Sequence, residues 1–88
     1  MLKFSNVYLR TWMAYVMINC ESGCETVVLD EIKQFEEIKE IKSTIGNYDI
    51  IVKIESQSTE QLRDLIAKKI RRVPHISATT TLLCTSMP

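Results

Sequence analysis

The sequence predicts an α+β fold in which a four-stranded antiparallel sheet carries two helices on one face. Four segments have the apolar spacing or the β-branched composition typical of strands. Two other segments repeat apolar residues at helical spacing, and each follows a Ser-x-x-Glu or Ser-x-x-Gln capping sequence. Because the order is βαββαβ and the crossovers are right-handed, both helices fall on one side of the sheet, as in a ferredoxin-like plait.

Length and charge limit the functions open to this chain. It has 88 residues, of which 45% are hydrophobic, and eleven basic side chains balance eleven acidic ones. This length supports one core, and the apolar fraction argues against disorder. A dedicated nucleic-acid binder normally carries a basic excess, so the balanced charge argues against that class of protein.

The sequence shows no recognisable targeting signal, and its cysteines are odd in number. Both features predict a cytoplasmic protein with no membrane partner. No apolar run approaches the ~20 residues of a membrane span. Residues 1–6 lack the apolar core and cleavage site of a signal peptide. The three cysteines, an odd number, do not form a paired disulfide framework, and we expect free thiols.

The first strand and helix follow one another near the start of the chain. The strand is predicted over Met13–Cys20, where both alternating sides are largely apolar, so both faces are expected to be covered. The helix is predicted to begin at the capping box formed by Ser22 and Glu25 and to run to about Phe35. Its buried stripe consists of four apolar residues, Val28, Leu29, Ile32 and Phe35.

A hairpin is predicted in the middle of the chain. Its first strand covers Ile38–Ile45, with Ile45 on the same face as Ile41. Gly46-Asn47 suits a tight turn, because glycine adopts a positive φ without a steric cost. The next strand covers Asp49–Ser56, and its core-facing residues are Ile50, Val52 and Ile54.

The second helix and the last strand complete the predicted plait. Ser58 and Gln61 form the ends of a second capping box, and Pro74 prevents continuation of the helix. The apolar residues at helical spacing are Leu62, Leu65, Ile66, Ile70 and Val73. The last strand covers Ile76–Cys84 and is rich in threonine.

The uncovered face of the sheet predicts a partner. Its centre is expected to present Tyr15, Met17, Thr79, Thr81 and Leu83. A semi-apolar open face on a small domain favours face-to-face dimerisation. Charge is also segregated, since residues 21–40 are mainly acidic and residues 61–76 mainly basic. Two interpretations stay open, namely solvated helix faces and charge complementarity between subunits.

An ordered set of short motifs resembles a known family. The motifs are Ala14-Tyr-Val-Met-Ile-Asn19, Glu37-Ile-Lys-Glu40, Gly46-x-Tyr-Asp-Ile-Ile-Val-Lys53, Ile70-Arg-Arg-Val-Pro74 and Ile76-x-x-Thr-x-Thr81. Together they resemble the ligand-binding (RAM) domain of Lrp/AsnC, or feast/famine, transcription regulators over roughly residues 13–84. The resemblance implies a plait that forms homodimers through its sheets, higher homo-oligomers such as octamers or rings, and an amino-acid effector bound between dimers. It implies regulation without enzymatic chemistry and without a cofactor.

The chain departs from the family pattern before this domain. Family regulators carry an N-terminal helix-turn-helix, which does not fit in residues 1–12. We therefore expect a stand-alone sensing module that does not bind DNA directly and that co-assembles with full-length Lrp/AsnC-type regulators. The predicted divisions are an extension at 1–12, the domain at 13–85 and a tail at 86–88. Two interpretations of 1–12 stay open, namely a packed extension and sequence upstream of a natural start at Met13.

The candidate ligand-binding residues lie in the central turn and the last strand. A free amino acid needs donors for its carboxylate and an acceptor for its ammonium group. Backbone amides near Gly46 and Asn47 offer the donors, and Asp49 offers a carboxylate.

The resemblance places this turn in the family's effector pocket, with Tyr48 as a lid and the hydroxyl groups of Thr79 and Thr81 nearby. The alternative is structural: a plain hairpin turn, a packing tyrosine and threonines that simply favour a strand. Ile45, at a common threonine position, and His75, at a common glycine position, are the family departures nearest this site.

The sequence predicts neither a catalytic nor a metal site. Cys20 and Cys24 have no further ligands at the spacing of a tetrahedral site, and His75 is interpreted as a turn residue without a catalytic partner. Two alternative functions remain. One is a dimeric ferredoxin-like enzyme of the monooxygenase kind, for which His75 is the candidate base; the other is a structural oligomeriser without a ligand.

Overall fold

A computed structural model describes residues 11–84 and confirms the predicted α+β plait. The elements are β1 (Trp12–Cys20), α1 (Glu25–Ile32), β2 (Ile38–Ser43), β3 (Ile50–Ser56), α2 (Thr59–Lys68), a 3₁₀ turn (Ile70–Arg72) and β4 (Ile76–Leu83). All strand pairs are antiparallel, in the order β2-β3-β1-β4. The predicted tail 86–88, and all but the last two residues of the predicted extension 1–12, lie outside the described residues.

The core lies between the helices and one face of the sheet. The central strands β1 and β3 bury alternate residues, as the period of two predicts. The buried set comprises Ala14, Val16, Ile18, Val28, Ile32, Ile50, Val52, Ile54, Leu62, Leu65, Ile66, Ile70 and Val73. Burying each large aliphatic side chain contributes about 1.5–3 kcal/mol. Neither helix of residues 11–84 has the length and apolar character needed to cross a membrane.

The first predicted capping box is wrong. Cys24, and not Ser22, is the residue before α1, and its side chain makes no capping hydrogen bond. Gly23 has a φ of +83°, so the chain turns through the left-handed region just before the helix. The helix then ends at Ile32, earlier than predicted, although Phe35 still packs against the core.

The second predicted capping residue is confirmed. The Ser58 hydroxyl accepts a hydrogen bond from the Gln61 amide at 3.1 Å. In a capping box the Gln61 side chain would accept from the Ser58 amide. Here its oxygen accepts instead from the amide of the preceding residue, Gln57, at 3.4 Å. After α2 the chain tightens into the 3₁₀ turn, which keeps Ile70 and Val73 buried before Pro74.

The central connection is longer than the predicted tight turn. β2 ends at Ser43 and β3 begins at Ile50, so residues 44–49 form the loop. Ile45 is fully exposed and does not face the core, which corrects the prediction. A register shift between Ile38 and Glu40 also breaks the alternation of β2, and both Ile38 and Ile41 pack against the core.

The prediction for the open face is wrong for β4. Ile76 pairs with Cys20 but Ala78 pairs with Asn19, so Ser77 is one extra residue in β4. Its hydroxyl donates to the Asn19 carbonyl at 3.1 Å. One inserted residue moves every later side chain of the strand to the opposite face of the sheet.

The exchange moves three predicted open-face residues to the helix side of the sheet. Ala14, Val16 and Ile18 point into the core, and their directly opposite partners are Leu83, Thr81 and Thr79. Directly opposite residues share a face. The open face instead carries Ala78, Thr80 and Leu82 beside Tyr15, Met17 and Ile51. It remains semi-apolar, with Leu82 54% exposed.

Candidate functional site

The predicted ligand loop is anchored to the end of β1 by Asp49. The Asp49 amide donates to the Ile18 carbonyl at 2.9 Å. One oxygen of the Asp49 carboxylate accepts from the Cys20 amide at 2.8 Å. The carboxylate that the sequence predicts as a ligand group is therefore also a structural acceptor, which satisfies a backbone amide where the strand ends.

Two further hydrogen bonds shape the loop around its exposed tip. The Thr44 amide donates to the Asp49 carbonyl at 2.9 Å, and the Thr44 hydroxyl donates to the Tyr48 carbonyl at 2.6 Å. Gly46 and Asn47 are exposed, and Gly46 has a φ of +140°, a conformation that L side chains rarely adopt. The loop therefore has an exposed tip at Gly46 and Asn47, and hydrogen bonds hold the residues on either side of the tip in place.

The predicted threonines lie apart from this loop within one chain. Thr79 pairs with Ile18 across β1, and Ile18 pairs with Ile50, which directly follows Asp49. Thr79 on β4 is therefore two strand spacings, roughly 10 Å, from Ile50 on β3, the strand that follows the loop. Thr81 lies two residues further along β4. The structure places Thr79 and the loop at the same end of the sheet, but it does not bring the six predicted residues into one pocket.

Thr81 instead lines a cavity of about 390 Å³ between α2 and the β1–β4 side of the sheet. Apolar side chains including Leu62, Ile66 and Leu83 form much of its lining, and the exposed Arg63 and Arg71 also contribute. Neither this cavity nor a second one near Glu37 includes His75.

A second group of polar side chains, the Glu21–Cys24–His75 cluster, lies beyond the end of β1. One ligand-type atom from each of the three residues lies within 4.8 Å of the other two. The His75 Nδ1 atom and a Glu21 carboxylate oxygen are 3.0 Å apart. The sequence pattern gives Cys24 and His75 no further ligand at metal-site spacing, and it does not point to Glu21, because 54 positions separate Glu21 from His75.

Backbone contacts bring this cluster together. The Glu21 amide donates to the His75 carbonyl at 2.8 Å, and the Cys24 amide donates to the Glu21 carbonyl at 3.0 Å. Cys20 lies close by, and its pKa is raised, first by burial and then by the Asp49 and Glu25 carboxylates and the Cys24 thiol. Cys20, Cys24 and Cys84 are all free thiols, as the sequence predicts.

The acidic and basic segments also meet within the chain at the ion pair between Lys69 and Glu37. The Lys69 ammonium lies 3.2 Å from a Glu37 carboxylate oxygen and 5.8 Å from the centre of the Phe35 ring. The pKa of Glu37 is lowered, most by its own backbone amide and then by Lys69 and Lys39, while partial burial acts in the opposite direction. This contact joins the start of β2 to the end of α2.

Comparison with known proteins identifies the family. The model of the Lrp/AsnC ligand binding domain matches residues 13–88. The chain belongs to the Lrp/AsnC ligand-binding domain family. Protein PHS023 from Pyrococcus horikoshii, known from a crystal structure, is 31% identical in sequence and superposes with a TM-score of 0.79. The match covers 85% of this chain and 90% of PHS023.

Two curated relatives of this Lrp/AsnC-type domain belong to different classes of protein, one a transcriptional regulator and the other an enzyme. The HTH-type transcriptional regulator FL11 of Pyrococcus abyssi is 30% identical over 71 residues, which are 81% of this chain and 46% of the regulator. The chain thus spans about half the length of that regulator. The homocitrate synthase of Sulfolobus acidocaldarius is 33% identical over 72 residues, again 81% of this chain but only 15% of the enzyme.

Proposed function

We propose that this Lrp/AsnC-type domain is a regulatory module that binds an amino-acid effector between subunits and changes their assembly, without enzymatic chemistry. One observation carries the proposal: about 81% of this chain matches an HTH-type transcriptional regulator, and about 81% of it also matches a homocitrate synthase. The shared element is therefore neither the DNA-binding part nor a whole enzyme. A ligand-binding domain is the element that a regulator and a metabolic enzyme could use in common.

The separation of the loop from Thr79 and Thr81 supports a site completed by another subunit. In one chain the loop tip at Gly46 and Asn47 is exposed, and roughly 10 Å lie between the loop and Thr79. Donors from the loop of one subunit and hydroxyl groups from β4 of a neighbour would together surround a small zwitterion. Effector binding would then favour one assembly over another, because a ligand stabilises the state that holds its complete site.

The chemistry of Asp49 is compatible with a role for its carboxylate in effector binding. A carboxylate has two oxygens and about four acceptor positions, and the Cys20 amide uses one of the oxygens. The remaining acceptor capacity can receive an ammonium group. In this proposal Tyr48, which is half-buried beside Asp49, closes over the bound effector.

A thermal-shift screen against the twenty amino acids tests the proposal. At a concentration of 100 Kd an effector stabilises the folded state by about 2.7 kcal/mol, which raises the melting temperature of a domain of this size by roughly 10–20 °C. Light scattering in the presence of that amino acid should show a changed oligomer size. If no amino acid changes either the melting temperature or the size, the domain is a structural oligomeriser without an amino-acid effector.

Asp49→Asn is the sharpest variant, because its side-chain oxygen can still accept from the Cys20 amide while the negative charge is removed. We expect this variant to keep its melting temperature without ligand and to lose the amino-acid shift. Glu31→Gln, the matched removal of one negative charge from an exposed position of α1 on the other side of the sheet, is the control and should keep the shift. An unchanged shift in Asp49→Asn would remove Asp49 from the site.

Co-assembly with full-length Lrp/AsnC-type regulators is the second part of the proposal. It is supported by the semi-apolar open face, since homologous sheets can pair with one another in the same way as identical ones. Co-expression of this chain with such a regulator should give mixed oligomers in native mass spectrometry. Only homo-oligomers of each chain would contradict this part.

A further inference from the structure

We propose that the Glu21–Cys24–His75 cluster is a metal-binding site for a borderline transition-metal ion, with Zn²⁺ as the best match. The site joins the turn before α1 to the turn before β4, and it does not depend on the proposed effector function. Its three side chains offer a carboxylate oxygen, a sulfur and an imidazole nitrogen, all within 4.8 Å of one another.

The distances suit a tetrahedral ion. Zinc binds nitrogen or oxygen at about 2.0–2.2 Å and sulfur at about 2.3 Å, so neighbouring donors around it lie roughly 3.3–3.7 Å apart. The His75 Nδ1 atom and the Glu21 oxygen are 3.0 Å apart, and the largest spacing in the cluster is below 4.8 Å. The three side chains are exposed or half-buried, so they have room to rotate toward a shared ion.

The backbone holds the donors in place before any ion binds. The Glu21 and His75 backbones are joined by the 2.8 Å hydrogen bond, and Cys24 is joined to Glu21 by the 3.0 Å hydrogen bond. His75 has a φ of +75°, a left-handed conformation that is uncommon for a residue other than glycine. The chain thus places an imidazole at a position where glycine would be free of backbone strain.

The donor set selects the class of metal. Sulfur and imidazole nitrogen are poor ligands for Mg²⁺ and Ca²⁺, which prefer oxygen, and good ligands for Zn²⁺ and its neighbours. Cys24 binds as the thiolate and releases its proton to solvent. Three protein donors leave the fourth position to water or to a donor from another molecule.

Cobalt(II) is the probe for this site, because a thiolate bound to Co²⁺ gives a charge-transfer absorption that other ligands lack. The reduced, tag-free chain should bind one Co²⁺ with this band and with the strong visible bands of tetrahedral cobalt. Zn²⁺ should remove both sets of bands. Absence of a thiolate band in the unmodified protein overturns the proposal.

Variants distinguish the cluster from other thiols. Cys24→Ser should abolish the thiolate band, whereas Cys20→Ser and Cys84→Ser, the matched controls, should retain it. Glu21→Ala and His75→Asn should each weaken Co²⁺ binding at least tenfold; asparagine is chosen because it tolerates a positive φ. Loss of the band in Cys84→Ser, or its survival in Cys24→Ser, would place the metal elsewhere.

Two further measurements keep the test independent of folding and of the effector. Circular dichroism of each metal-free variant should match that of the unmodified chain, so that lost binding is not lost structure. Asp49→Asn should bind Co²⁺ as the unmodified chain does, because Asp49 is not in the cluster. If His75→Asn folds and binds Co²⁺ with unchanged affinity, the three-ligand site is wrong.

Discussion

Asp49 shows how one side chain in this domain can combine a structural and a chemical role. Its carboxylate accepts from the Cys20 amide at 2.8 Å, so removal of the side chain would leave a partly buried donor without its partner. Replacement by alanine would therefore affect both stability and ligand binding. A variant that keeps the acceptor oxygen separates these two effects, which is why asparagine is the informative replacement.

Glu37 provides a pH-dependent prediction at the scale of single residues. Its folded-state pKa lies below the ordinary value of 4.5, so its contribution to stability is present above that pH and is lost as pH falls through the folded-state pKa. Glu37→Gln should lower the free energy of unfolding at pH 7 by less than about 1 kcal/mol, because solvent screens a half-exposed pair. Urea unfolding at pH 7 and pH 3 measures the difference, which should be smaller at the lower pH because Glu37 becomes protonated as the pH falls through its folded-state pKa.

Glu36→Gln is the control for that measurement, because it removes one charge from an exposed neighbour. It should leave the unfolding free energy unchanged within about 0.5 kcal/mol at both pH values. An equal effect of Glu36→Gln and Glu37→Gln at pH 7 would mean that net charge, and not the contacts of Glu37 with its own backbone amide and with Lys69, is responsible.

The two helices differ in how their N-termini are satisfied. Ser58 caps α2 through its hydroxyl, whereas a glycine turn precedes α1 and its cap residue Cys24 makes no side-chain capping bond. The two sequences, Ser-x-x-Glu and Ser-x-x-Gln, look equivalent. What separates them is the backbone, because only the extended conformation of Ser58, with φ −148° and ψ 156°, directs its hydroxyl at the amide three residues later.

A matched pair of serine variants tests this difference at the scale of the elements. Ser58→Ala should lower the free energy of unfolding by about 1 kcal/mol, the usual loss for a capping serine. Ser22→Ala should change it by less than about 0.5 kcal/mol, because Ser22 is exposed and does not cap α1. Urea denaturation of both variants measures the contrast, and equal losses would show that Ser22 caps α1 in solution.

At the scale of the whole molecule, the sheet has one covered and one open face. The open face presents Tyr15, Met17 and Leu82 within one neighbourhood, since Tyr15 pairs directly with Leu82. Apolar side chains gathered on one face are typical of an interface, whereas single exposed ones are ordinary. The open face is therefore the expected dimer contact.

Leu82→Asp tests that expectation. Leu82 is 54% exposed, so a charge there should leave the folded monomer intact and destroy an apolar interface. Size-exclusion chromatography with light scattering should show a dimer or larger oligomer that dissociates in this variant. Val27→Asp is the matched control, because Val27 is 53% exposed but lies on α1, on the other side of the sheet. Dissociation in both variants, or in neither, would contradict assembly through the open face.

The element order and the core stripes of this domain can be predicted from the sequence alone. Both follow from local periodicity, since Ala14, Val16 and Ile18 alternate on β1 and Leu62, Leu65 and Ile66 repeat on α2 whatever their partners are. The ordered motifs between residues 13 and 84 resemble those of the Lrp/AsnC family, and the matched domain model confirms this resemblance.

The face that each β4 side chain occupies, and the polar groups that come into contact, depend on tertiary contacts. The extra residue Ser77 exchanges the faces of β4, and a bulge depends on the register with β1, which local periodicity does not record. Asp49 meets Cys20, and Glu21 meets His75, through strand and turn pairings that join residues 29 and 54 positions apart. Contacts at such distances depend on how the whole chain packs, so the candidate sites appear only once the sheet is assembled.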